Sequence, residues 1–221
     1  FAQLEDQKLK DKGYDVRIGK ASAWSTLGIT SDPILSGMLQ KSEGKLVELI
    51  IHEITHANVY YKDSVSYNEN LADFIGHYGS LKFLELKYGA NAEALSTHRF
   101  QKQDSRTYSQ LMNSVCRKLQ KFYKILATED ISVNDKVKKK KAKIKQLLTD
   151  IDLTVFNYPE KYQFLKRTSF HPNNAFFTSF RVYRSQQETF LNELNTLLKG
   201  DLRGFIHFHR YRTGQAPYGN V

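Results

Sequence analysis

Residues 47 to 74, VELIIHEITHANVYYKDSVSYNENLADF, hold the pattern that most restricts how this chain can fold. His52, Glu53 and His56 lie inside an apolar run, and a further acidic residue, Glu69, follows after twelve intervening residues. Histidines four apart share a face only on a helix, so this run must be helical if both imidazoles are to reach one point. Leu46, Leu49, Ile50 and Ile54 supply the apolar stripe of such a helix, predicted from Glu43 to Tyr60 with Ser42 and Glu43 at its start. The polar link YKDSVS and Ser66 predict a second helix, ending at Tyr88 before Gly89. At a rise of about 1.5 Å per residue, an antiparallel pair brings His56 and Glu69 to similar heights above the connecting turn. The rival role for Glu69 is a capping-box partner of Ser66 at the third position of its helix.

Two imidazoles and one carboxylate suit a tetrahedral Zn2+ with its fourth position open to water, and one zinc per chain is the expectation. The metal ligands are then His52, His56 and Glu69. Glu53, beside the first histidine but turned round the helix, stands where a base would take a proton from metal-bound water. This is the arrangement used for metal-assisted hydrolysis.

The rest of the chain frames this hairpin. At 221 residues, with 40% apolar and 25% charged residues, it can bury a core without disulfides, and Cys116 is its single cysteine. Tyr14 to Ile18 and Ala21 to Leu27 read as extended chain. The fold class expected is therefore α+β, mainly helical, with a small antiparallel sheet in a single domain over residues 1–221. Helices are predicted over 92–126, broken near Ser105, and over 134–149, with a helical hairpin across 108–150. An aromatic-rich segment from Pro159 ends in a helix through Phe180, Tyr183, Phe190 and Leu194. His77 and His98 read as packing or surface residues, and His207 and His209 as an incidental pair in the tail.

The net charge of +10 gathers partly in KVKKKKAKIK, Lys136 to Lys145. This reads first as a solvated helix face and second as a membrane-surface contact. No aromatics interleave the lysines, and nucleic acid is not expected as a partner.

Three segments, YDVRIGKASAWSTLGITSDPILSGML, LIIHEITHANVYYKDSVSYNENLADFIGHYG and PNNAFFTSFRVY, occur in this order. Together they resemble the putative aminopeptidase family of bacterial zincins that carry HExxH plus a Glu ligand. The resemblance runs from about Gly13 to Leu198. It rests on STLG, a following DP, HExxH, KD, NE with an alanine three residues later, and NNA with a downstream tyrosine. Trp24 and the stretch Ile29 to Ser31 depart from the pattern, which bears on substrate preference and leaves the metal residues untouched. The resemblance implies a zinc peptidase acting on a peptide or protein substrate. It also implies an N-terminal segment ahead of Phe1, with an export or lipid-anchor signal and hence a bacterial cell-envelope location, so the chain is expected to be the C-terminal part of a longer precursor. NENLADF further resembles the third-ligand segment of thermolysin-like enzymes. That likeness places Asp73, with Asn68, behind the ligands as an orienting residue; the other reading of Asp73 is a surface acid paired with a lysine.

Within that frame Tyr183 is the first candidate for the oxyanion donor and His171 the second, both in the family-like C-terminal segment. Tyr183 also reads as a core aromatic. The extended residues Ala23, Trp24, Ser25 and Thr26 offer either an edge on which a peptide lies antiparallel or a buried strand. Asp32, Glu43 and Asp63 are equal candidates to hold a substrate's free amine. The alternatives to an aminopeptidase are a metalloendopeptidase of narrow specificity and a catalytically idle zinc-containing binding or regulatory protein.

Overall fold

The computed structural model describes residues 2–19, 33–178, 180 and 186–212. Among them every regular element is a helix. The expectation of an α+β fold with a small antiparallel sheet is thereby corrected to all-α. Residues 14–18, read as extended from their alternating Tyr14, Val16 and Ile18, belong to no regular element, and side chains hold them in place of a ladder. Asn173 Nδ2 donates to the Val16 carbonyl at 2.9 Å, and the Asp15 carboxylate accepts from the Asn174 backbone N–H. The second expected strand, with Ala23, Trp24, Ser25 and Thr26, lies outside the described residues, as do Asp32 and Tyr183.

The chain divides into two compact units, residues 1–19 with 100–182 and residues 20–99 with 183–221. The first holds α1 (Ala2–Asp11), most of α4 (Glu93–Thr128), α5 (Val133–Thr149), a 3-10 helix (Pro159–Lys166) and α6 (Asn174–Thr178). α4 runs unbroken through Ser105, where a break was expected. Met112, Val115, Cys116 and Leu119 on α4 pack with Ile144, Leu147 and Leu148 on α5, and Leu165, Phe176 and Phe177 complete this core. Each large apolar side chain buried here contributes about 1.5–3 kcal/mol relative to exposure. Asp104, fully buried, accepts from the backbone N–H groups of Asn157 and Tyr158 and from Asn157 Nδ2, which ties the segment after α5 to α4. Several lysines of α5 find partners, including Glu129 for Lys139 and Asp15 for Lys140. No described helix is long and apolar enough to cross a membrane.

The second unit is built on α2 (Glu43–Asn58) and α3 (Val65–Tyr88), with the start of α4, α7 (Gln187–Asn192, continued as a π-helical turn over Glu193–Leu197) and α8 (Leu202–Arg212). Leu71, Phe74 and Ile75 of α3 meet Val59, Phe190, Leu194 and Phe205 in its core. Asn68, buried at the start of α3, clamps the link between α2 and α3. Its Oδ1 accepts from the Tyr61 N–H and its Nδ2 donates to the Tyr61 carbonyl, both at 2.8 Å. Two small residues let the helices approach closely. A methyl group on Gly76 would stand 2.7 Å from the Glu48 carbonyl oxygen, and one on Gly79 would stand 2.9 Å from Ile51 Cδ1. α3 ends at Gly89, whose φ of +90° suits glycine far better than other residues.

Candidate metal centre

α2 and α3 face each other along two rows of polar residues spaced one turn apart. Glu48, His52 and His56 lie on α2, and His77, Asp73 and Glu69 run in the opposite sense on α3. At one end of this seam the Nε2 atoms of His52 and His56 are 3.1 Å apart. Glu69 Oε2 lies 3.5 Å from His52 Nε2, and Glu69 Oε1 lies 3.4 Å from His56 Nε2. Tetrahedral ligands at about 2.0–2.1 Å from a zinc ion are separated by about 3.3 Å. The three side chains therefore already have the spacing of a shared ion.

Glu69 lies more than one turn inside α3, which begins at Val65 after Ser64, so it does not occupy the capping position counted from Ser66. Asp73 Oδ1 is 3.2 Å from His52 Nδ1. In the neutral ring that a metal requires, donation of Nδ1–H to this carboxylate would leave Nε2 as the lone-pair nitrogen on the side of His56 and Glu69. Asn68 has a different task from the one expected, since both its side-chain bonds go to the Tyr61 backbone.

The electrostatics follow from partial burial of opposite charges. Burial disfavours the charged form of His52, but the Asp73 and Glu69 carboxylates outweigh it and hold its pKa up to about 9. Burial and the neighbouring His52 push His56 below the ordinary imidazole value. The bond from His52 holds Glu69 below the ordinary carboxylate range in spite of burial. Two carboxylates facing two imidazoles, only one of them readily protonated, leave a pocket of negative character that suits a dication.

Glu53 follows His52 on α2 and is partly buried. His171 belongs to the first unit. There it lines a cleft of about 610 Å³ together with Asp15, Lys140, Arg167 and Asn173. Glu43, one candidate for holding a substrate amine, is bound to Lys87 at 2.5 Å and Tyr88 at 2.6 Å on the surface.

The family model described as putative aminopeptidase matches residues 1–212. The chain belongs to that family. No curated protein and no solved structure gave a match. In this aminopeptidase-family chain the matched span takes in both units and the whole helix hairpin that carries HEITH and Glu69.

Several polar residues of the hairpin unit escaped the sequence reading. His98, 3% exposed, and His77, 6% exposed, are gathered near Glu48. For Glu48 and His77 the signal was available, since each continues a four-residue row one turn past His52 or Asp73. For His98, on another helix, no local signal exists. His209, read as incidental, is fully buried on α8, within 3.2 Å of the Tyr67 hydroxyl and of Glu193 Oε2.

Proposed function

We propose that this chain is a zinc-dependent peptidase of the aminopeptidase type, with His52, His56 and Glu69 as the residues that hold the ion and Glu53 as general base. The observation that carries the reading is the spacing of the three side chains, with the two Nε2 atoms 3.1 Å apart and one Glu69 oxygen 3.4 to 3.5 Å from each, across a hairpin tightened at Gly76. A zinc ion there would acidify a water molecule and polarise a peptide carbonyl. Glu53 takes the proton from that water on its carboxylate and delivers it to the departing amine. Asp73 fixes the tautomer and ring plane of His52 by accepting from Nδ1. Tyr183 is the first candidate to donate a hydrogen bond to the developing oxyanion, and His171 the second.

Metal analysis with peptide hydrolysis tests this reading. Wild type should carry zinc that is lost in Glu69→Ala, and Glu53→Gln should keep zinc while losing turnover. Hydrolysis of free peptides but not of amino-blocked ones would establish an aminopeptidase. Equal cleavage of both would make the chain an endopeptidase, and zinc without turnover would make it an idle zinc-binding protein.

A further inference from the structure

At the far end of the α2–α3 seam a second set of ligating side chains converges from three helices. Glu48 on α2, His77 on α3 and His98 on α4 each offer one ligand atom, and these atoms lie within 4.8 Å of one another. Both histidines are nearly completely buried, and the Glu48 side chain is only 19% exposed. His98 Nε2 is 3.5 Å from Glu48 Oε2 and 2.8 Å from Ser80 Oγ. The Ser80 hydroxyl donates its single proton to the His77 carbonyl at 2.8 Å, so His98 Nε2–H is the donor to Ser80 Oγ. α2 is notched to admit this ring. A methyl group on Gly44 would fall 2.6 Å from His98 Nδ1.

We propose that Glu48, His77 and His98 form a second, structural site for a divalent transition metal, with Zn2+ the ion the donor set fits best. Two imidazole nitrogens and one carboxylate favour zinc-like ions over magnesium or calcium, which prefer all-oxygen shells. Interring two imidazoles beside a carboxylate is costly in an apolar surrounding, and a cation bound to all three offsets that cost. His98 Nε2 and Glu48 Oε2 stand close to the roughly 3.3 Å of a tetrahedral pair, and an ion bound to all three side chains draws them together. For His98 to bind through Nε2 its proton shifts to Nδ1 and the bond from Nε2–H to Ser80 Oγ is given up, while Ser80 keeps its bond to the His77 carbonyl. Burial withholds the site from substrate, as suits a structural ion, and the three bonds fasten the start of α4 to the α2–α3 hairpin. The inference does not rest on the ion proposed for His52, His56 and Glu69.

Titration of the full chain with Zn2+, followed by elemental analysis after removal of loosely held ion, separates the two sites. Wild type is expected to hold two equivalents, Glu69→Ala one, and Glu69→Ala with Glu48→Gln none. Glu48→Gln keeps size and hydrogen bonding, so it guards against a result caused by misfolding; circular dichroism checks each variant, and His98→Gln serves as the second probe. Thermal unfolding of Glu69→Ala should shift upward with added Zn2+, and the shift should vanish when Glu48→Gln is added. One equivalent in wild type that disappears in Glu69→Ala would overturn the second site and leave the catalytic reading standing. One equivalent kept in Glu69→Ala but lost in Glu48→Gln would uphold the second site and sink the catalytic reading. An equivalent in Glu69→Ala that neither Glu48→Gln nor His98→Gln removes would also overturn the proposal.

Discussion

Asp73 Oδ1 lies 3.2 Å from Nδ1 of His52, across the seam from the helix that carries the histidine. The helix that supplies Glu69 thus also holds the ring of the histidine opposite. Asp73→Asn keeps the shape of this contact but removes the charge that prefers Nδ1–H. Zinc affinity should fall about 10–100-fold, read by competition with a chelator, while circular dichroism stays unchanged. An affinity equal to wild type would reduce Asp73 to a bystander.

Removal of the Tyr183 hydroxyl isolates the proposed oxyanion donor. Tyr183→Phe should lower kcat by about 10²-fold with zinc content and KM little altered, since the bond is made chiefly in the transition state. If kcat holds and His171→Ala lowers it instead, the assignment passes to His171.

Gly76 sets how closely α3 approaches α2. Alanine is intrinsically the better helix former by about 1 kcal/mol, yet a methyl 2.7 Å from the Glu48 carbonyl must push backbone against backbone. Gly76→Ala should therefore destabilise the protein by about 1–3 kcal/mol in urea unfolding and weaken zinc binding. Gly79→Ala, which meets the Ile51 side chain and no backbone, should do less of both.

His209 gives an acid-sensitive term. Burial, and then Arg212, hold its pKa down to about 4 from an ordinary 6.5. The charged and titratable groups around it are Tyr61, Tyr67, Glu193 and Arg212. A histidine with a depressed folded pKa takes up its proton more readily when unfolded. Its contribution is thus fully present above pH 6.5 and is lost as pH falls from there toward 4. Urea unfolding of the chelator-treated protein should show a loss of no more than about 3 kcal/mol across that window. His209→Gln should flatten the slope between pH 6.5 and 5, where ordinary carboxylates scarcely titrate.

The hairpin was legible because its information is local. Histidines at i and i+4, a polar link and an acid at the right distance specify two antiparallel helices and one meeting point. Fold class was not legible in the same way. Alternation at Tyr14, Val16 and Ile18 signals extended backbone, but a strand exists only if a partner offers a ladder, and here Asn173 and Asp15 satisfy the chain instead. The continuity of α4 through Ser105 was hidden by a run of polar residues that suits an exposed helix as well as a break. Asn68 was expected behind the ligands because it adjoins Glu69, whereas its bonds go to Tyr61, seven residues back. His98 was beyond reach, since its meeting with Glu48 and His77 depends on how a third helix packs.

The paired polar rows have a consequence for how this hairpin can vary. One residue inserted between Glu48 and His56, or between Glu69 and His77, turns everything beyond it by about 100° and uncouples the facing pairs together. Point changes at single rungs can be absorbed one at a time, but deletions and insertions within either nine-residue stretch cannot. Length variation among related chains should therefore fall elsewhere, leaving the spacing of these two rows constant.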